Sequence, residues 1–180
     1  MNIALLGDSL FARLNKTKIQ NLESKIPGSL VINCAMGGID STDLVREAPL
    51  LAKLPVDAFL ISIGMNDIAP WKVVPFDAFE QNIRSLIGIF GQERTVFFLA
   101  PDVDEEMQSG PDKRLNATLA HYNQALQEIC ATLGVRCVDA SSEFKAQLAS
   151  GNDYHQADGV HLNDSGDEIM FSAIARMLQS

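Results

Sequence analysis

Five short runs of the chain, residues 2–6, 30–34, 57–63, 95–100 and 135–139, are apolar at almost every position. Between them apolar residues recur at helical spacing: Leu44, Ala48 and Leu51; Phe79, Ile83, Leu86 and Ile87; Leu115, Leu119, Tyr122, Leu126 and Ile129; then Ile169, Ala173, Ile174 and Leu178. A strand that is apolar throughout, rather than at alternate positions, is buried on both faces, which calls for a parallel sheet with helices on each side. Five such strands alternating with helices predict an α/β fold, a flavodoxin-like three-layer α/β/α sandwich with a five-stranded parallel sheet in the order 2-1-3-4-5. No repeat, low-complexity tract or shift of composition divides the chain, so residues 1–180 read as a single domain. Gly134 is placed to end the long helix before the last strand, and Asn163 or Asp164 to cap the terminal helix.

Polar residues with chemical potential sit where these runs end. The first run exits into Gly7-Asp8-Ser9-Leu10, a glycine that permits a sharp turn followed by a hydroxyl at the strand's carboxyl end. Ligands bind beyond the carboxyl ends of such strands, so Ser9 stands on the rim where a substrate arrives. Taken alone, Gly-Asp-Ser is also ordinary strand-exit and N-cap chemistry. A serine is inert near neutral pH unless an imidazole takes its proton, and that imidazole needs a partner to fix its tautomer. Asp158-Gly159-Val160-His161 supplies both, because a turn over three residues brings Asp158 against one ring nitrogen of His161 and leaves the other for Ser9. Of the two remaining histidines, His121 falls in a helical pattern, and His155, two residues after Asp153, competes for the role of base but reads as a histidine in a polar loop.

Two further blocks follow strands. Gly64-Met65-Asn66-Asp67 after the third run places an amide donor where an acyl-transfer oxyanion would form, and Asn33-Cys34-Ala35-Met36-Gly37-Gly38 after the second places a backbone N–H that can approach a ligand closely. Each has a purely structural reading, an Asx-turn for Asn66 and a flexible turn for Gly37-Gly38. All four on one rim is a far less common coincidence.

These blocks, in this order from Gly7 to His161, resemble the SGNH hydrolases, also known as the GDSL lipase/esterase family. The resemblance implies Ser9 as nucleophile, His161 as base, Asp158 as its orienting acid, and an oxyanion hole of the Ser9 N–H, Gly38 and Asn66. Two positions depart from the family pattern: Ala35 stands where a further glycine is usual, and Leu162 where proline often follows the histidine. The implied activity is hydrolysis of small, short-chain acyl esters through an acyl-serine intermediate, with no cofactor. Other readings are a carbohydrate O-deacetylase or an acyl thioesterase or lysophospholipase of the same family, and a non-enzymatic flavodoxin-like module binding a small anion. The last lacks a P-loop or a G-x-G-x-x-G fingerprint after the first strand.

Composition narrows the partners. At 180 residues, with 47% hydrophobic and 21% charged residues, the chain is an ordinary globule able to bury a substantial core. A net charge of −9 without a basic stripe excludes nucleic acid as a natural partner. No apolar stretch is long enough for stable membrane insertion. The first strand begins at once, without a signal-like segment, and a cytoplasmic location is expected. Cys34, Cys130 and Cys137 are odd in number and lie in apolar runs, which favours buried thiols over disulfides or zinc. No metal site is expected; the nearest pattern, His155 and His161 with Asp153 and Asp158, is better explained by a triad. The expected partner is a small-molecule ester, and the sequence leaves the oligomeric state open. Two loops are placed to shape its pocket, 68–75 and 101–111; Trp71 in the first is a candidate wall for an acyl chain, and the second carries Asp102, Asp104, Glu105 and Glu106.

Overall fold

The computed structural model describes residues 1–179. Strands β1 (Asn2–Gly7), β2 (Leu30–Asn33), β3 (Ala58–Ser62), β4 (Thr95–Phe98) and β5 (Arg136–Val138) form one sheet in the order β2-β1-β3-β4-β5, every pair parallel. This is the flavodoxin-like order expected from the hydrophobic pattern. Within the central strands successive residues face opposite layers. Ala4, Leu6, Phe59, Ile61 and Phe97 enter one core, and Ile3, Leu5, Leu60, Val96 and Phe98 enter the other. Among the described residues, seven α-helices cover the two faces: α1 (Ser9–Ala12), α2 (Lys16–Lys25), α3 (Ser41–Leu51), α4 (Phe76–Phe90), α5 (Asn116–Leu133), α6 (Ser141–Ala149) and α7 (Asp164–Gln179). The first core takes Leu44 and Ala48 of α3, Phe79, Ile83, Leu86 and Ile87 of α4, and Leu119, Leu126 and Ile129 of α5. The second takes Phe11, Leu22, Phe144 and the face of α7 that carries Met170, Phe171 and Ile174.

The helix ends are built from the residues beside them. Asp40 and Asp43 form a reciprocal capping box on α3, Gly134 ends α5, and the Asn163 side chain accepts from the N–H groups of Ser165 and Gly166 to start α7. The edge strand β2 departs from the all-buried expectation, with Leu30 56% and Ile32 38% exposed. A strand at the sheet margin has a neighbour on one side only, so the helical layers do not fully cover it.

Gly7 closes β1 under a constraint no other residue meets. Its φ is +107°, and a Cβ there would lie 1.8 Å from the Ser62 carbonyl oxygen of the neighbouring strand. The chain therefore turns out of the sheet at this point, and the next two residues are delivered to the rim. Asp8 turns inward. Its carboxylate accepts from the Leu10 N–H and the Ser62 hydroxyl through Oδ1, while Oδ2 is buried with no hydrogen-bond partner. Burial pushes its pKa up to about 7, with nearby Asp67 adding to the effect and the two hydrogen bonds and Arg114 opposing it.

That shift has a measurable consequence. A carboxyl whose folded pKa lies above its unfolded one contributes stability that is complete at acid pH and is lost as pH rises through the folded value. Asp8→Asn keeps the Oδ1 acceptor and cannot ionise. In urea titrations near pH 5 and near pH 9, the variant should gain on the wild type at the higher pH, with an upper bound of about 3 kcal/mol from the linkage relation over that span. A stability difference independent of pH would show that Asp8 does not titrate in this range.

Candidate active site

Ser9 opens α1 immediately after the Gly7 turn, and His161 lies on the segment just before α7, 152 positions later in the chain. The structure brings them together: His161 Nε2 is 2.8 Å from Ser9 Oγ. The other ring nitrogen, Nδ1, is 2.5 Å from Oδ2 of Asp158. Oδ1 of the same carboxylate accepts from the backbone N–H groups of Val160 and His161, at 3.0 and 2.9 Å. Partial burial raises the Asp158 pKa, but these hydrogen bonds and the imidazole outweigh it and hold the carboxyl at about 2. Asp158 is thus an anion at any pH where the protein would work. Because a carboxylate only accepts, it fixes Nδ1 as the donor and presents Nε2 toward the serine.

The loop carrying His161 is tied down on several sides. Residues 155 and 162 form an antiparallel bridge, Gln156 N–H donates to the His161 carbonyl at 2.7 Å, and the Gln156 side chain donates to the Leu162 carbonyl at 2.7 Å. The Asp104 N–H reaches the Gly159 carbonyl at 2.7 Å, an approach so close that a Cβ on residue 159 would lie 2.5 Å from the Asp104 oxygen. His155 belongs to this framework. Its Nδ1 meets Asp153 at 2.6 Å and its Nε2 meets the Asp102 carbonyl at 2.9 Å. Both ring nitrogens are engaged, and the ring does not face Ser9. Asp104, Asp153 and His155 place ligand-type atoms within 4.8 Å of one another, but the imidazole would have to give up an existing hydrogen bond to bind a cation. His121 lies exposed on α5, stacked on Phe76 at 4.0 Å.

The two donor blocks converge on the same rim. The Met36 N–H pairs with the Gly7 carbonyl at 2.9 Å, which lays residues 36–38 alongside Ser9; a Cβ on Gly37 would contact the Ser9 Cβ at 3.9 Å. Asn66 donates one Nδ2 hydrogen to the Ile39 carbonyl at 2.8 Å and so sits against the residue after Gly38. Its second amide hydrogen remains for a ligand. Asp67, fully buried, ties the blocks by accepting from the N–H groups of Ser41 and Gly64.

Beside Ser9 and His161 lies a cavity of only about 10 Å³, lined also by Asp8, Leu10, Ser62, Met65, Ala100 and Val160. Neither of the loops expected from the sequence lines it. Trp71 is 59% exposed, and its ring lies against the guanidinium of Arg114, whose Cζ is 4.7 Å from the ring centroid, rather than in this cavity. The acidic side chains of 101–111 are partly absorbed locally, Asp104 accepting from the N–H groups of Glu106 and Met107 and Glu105 from that of Asn116. A larger hollow of about 180 Å³ between α5 and α6 contains neither Ser9 nor His161.

Residues 5–169 match the model of the GDSL-like lipase/acylhydrolase family. The chain belongs to that family. As a GDSL-like acylhydrolase it is a carboxylic ester hydrolase. Similar folds are those of a lipase/acylhydrolase from Enterococcus faecalis, at 21% identity and TM-score 0.85 over 99% of this chain and 95% of that one, and of a G-D-S-L family lipolytic protein from Veillonella parvula, at 15% and 0.80 over 99% and 98%. An acetylxylan esterase from Geobacillus stearothermophilus aligns at 18% identity and TM-score 0.79, over 99% of this chain and 94% of its own. At such identities the likeness shows the fold. No curated protein sequence matches this GDSL-like hydrolase. Among the described residues no helix is long and apolar enough to cross a membrane.

Proposed function

We propose that this GDSL-like hydrolase cleaves esters of acetate and similarly short acids through an acyl-Ser9 intermediate. The observation that carries the reading is the unbroken relay of hydrogen bonds from Ser9 Oγ through His161 to Asp158. Ser9 Oγ attacks the substrate carbonyl carbon as His161 Nε2 takes its proton. The negative charge on the former carbonyl oxygen is held by the N–H groups of Ser9 and Gly38 and by the second Nδ2 hydrogen of Asn66. The tetrahedral species collapses with cleavage of the bond to the leaving oxygen, which receives the proton from His161. Water then attacks the acyl-enzyme, giving a proton to His161, and Ser9 recovers that proton as the carboxylic acid departs.

The small cavity supports the acyl-group preference. About 10 Å³ is the space of one water-sized group, enough for the methyl of an acetyl and too little for a long alkyl chain in this conformation. The apolar walls given by Leu10, Met65, Ala100 and Val160 suit a methyl. The substrate partner is a small-molecule ester, and the three free thiols fit a reducing, cytoplasmic setting.

Two measurements test this together. A fluorophosphonate should modify the protein once, at Ser9, whereas an anion-binding module would not be labelled. Along p-nitrophenyl acetate, butyrate and octanoate, kcat/KM should fall by about tenfold or more from acetate to octanoate, since each methylene that the small cavity cannot seat costs about 1 kcal/mol or more. Faster turnover of the octanoate would overturn the acyl-size assignment, and absent labelling would overturn the acyl-serine chemistry.

A further inference from the structure

Asn66 can serve an oxyanion only if its amide faces the right way. Oxygen and nitrogen of a carboxamide have nearly the same shape, and a flipped Asn66 would aim a carbonyl oxygen at the developing negative charge. The Ile39 carbonyl favours one orientation through Nδ2. The opposite end of the amide is governed by a residue from a different part of the chain: Arg114 Nη2 donates to Asn66 Oδ1 at 3.1 Å, and Arg114 Nε donates to the Met65 carbonyl at 2.9 Å.

Arg114 is itself held at three points. The half-buried side chain has the Trp71 ring against its guanidinium. The backbone of residue 114 is clasped by the buried carboxamide of Gln108, whose Oε1 accepts from the Arg114 N–H and whose Nε2 donates to the Arg114 carbonyl, both at 2.9 Å. The 101–115 segment thus closes on itself around one arginine and directs its fork at the Met65-Asn66 peptide.

Resting on the acyl-serine reading above, we propose that Arg114 is a positioning residue for the oxyanion hole: it fixes the Asn66 amide in its donating orientation and polarises it. A guanidinium bound to Oδ1 draws electron density from the amide, which strengthens the Nδ2–H donor when charge appears on the substrate oxygen. A preorganised donor of this kind acts on the transition state and leaves ground-state binding nearly unchanged. Arg114 works through Asn66 and makes no substrate contact of its own.

The test is a double-mutant cycle on p-nitrophenyl acetate hydrolysis, with Arg114→Ala, Asn66→Ala and the pair, alongside Arg114→Lys and Ser9→Ala. Asn66→Ala should lower kcat by about 10²–10³-fold. Arg114→Ala should lower kcat by roughly 10–100-fold with KM changed less than about threefold, and Arg114→Lys should recover part of the loss. In the Asn66→Ala background, removing Arg114 should change kcat by less than about twofold, because the residue through which it acts is gone. Equal losses in both backgrounds, or a rise in KM at unchanged kcat, would overturn the proposal. Should Arg114→Ala fail to fold, the same cycle is run with Arg114→Gln, which keeps a neutral donor at the end of the side chain. Activity surviving in Ser9→Ala would instead refute the acyl-serine reading; an inactive Ser9→Ala with an additive cycle would refute the role of Arg114 alone.

Discussion

Ser9→Ala should abolish measurable ester hydrolysis, with kcat reduced by several orders of magnitude, while the thermal unfolding midpoint stays within a few degrees of the wild type. The separation of these two effects follows from the geometry. Ser9 Oγ has its hydrogen bond with His161 on the rim, and the first turn of α1 is capped by Asp8, whose contacts to Leu10 and Ser62 do not involve the hydroxyl. Gly7, which sets the direction of the exit, is untouched. The variant should therefore keep the fold and lose only the hydroxyl to which the proposed attack is assigned. Stopped-flow measurement with substrate in excess over the enzyme should show a burst of p-nitrophenol, about one equivalent per enzyme, for the wild type when deacylation is the slower step, and no burst for the variant. Wild-type turnover by folded Ser9→Ala would remove the serine from the chemistry altogether.

The fold was legible in the sequence because its signals are local. Runs such as Ile3-Ala4-Leu5-Leu6 and Phe59-Leu60-Ile61 are apolar on both faces, and only a sheet covered twice buries both sets. The same is true of Ser9, Asp158 and His161, each inside a short block whose spacing carries the reason for it. What was not legible is whatever depends on the pairing of distant segments. Arg114 sits in Asp112-Lys113-Arg114, a stretch that reads as solvated charge, and its partner Asn66 is 48 residues away. Nothing in either segment announces the other. Trp71 was expected to wall the acyl pocket, yet its indole is taken by the same arginine. Asp8 reads as the polar residue of a turn, although it is only 1% exposed. The inward path is imposed by the Gly7 backbone and by the fit of Ser62 beneath it. Helices α2 and α6 give weak patterns for a physical reason too, since each fully buries one side chain, Leu22 and Phe144 respectively.

The second large effect discriminates between two histidines that share a chemical arrangement. Each has a carboxylate on Nδ1, Asp158 for His161 and Asp153 for His155, and in the sequence only the spacing, three residues beside a helix start against two, favours His161. Their Nε2 atoms differ decisively: that of His161 meets a hydroxyl that can give up a proton, and that of His155 meets the Asp102 carbonyl, which has none to give. His161→Ala should therefore cost roughly 10³–10⁶-fold in kcat with little loss of stability, because the ring is on the rim and replaces no core contact. His155→Ala should act in the opposite proportion. It removes a buried ring packed on Tyr154 at 4.0 Å and leaves the Asp102 carbonyl without one of its donors, so it should destabilise the protein by about 1–3 kcal/mol. Some activity should also go, through the loosening of the 153–163 loop that presents His161, but the folded fraction should still label with fluorophosphonate. The pair of variants, compared by denaturant titration and by initial rates at saturating p-nitrophenyl acetate, separates a group that moves the proton from one that holds the loop in place. Loss of chemistry in folded His155→Ala equal to that in His161→Ala would mean that the relay runs through the other dyad.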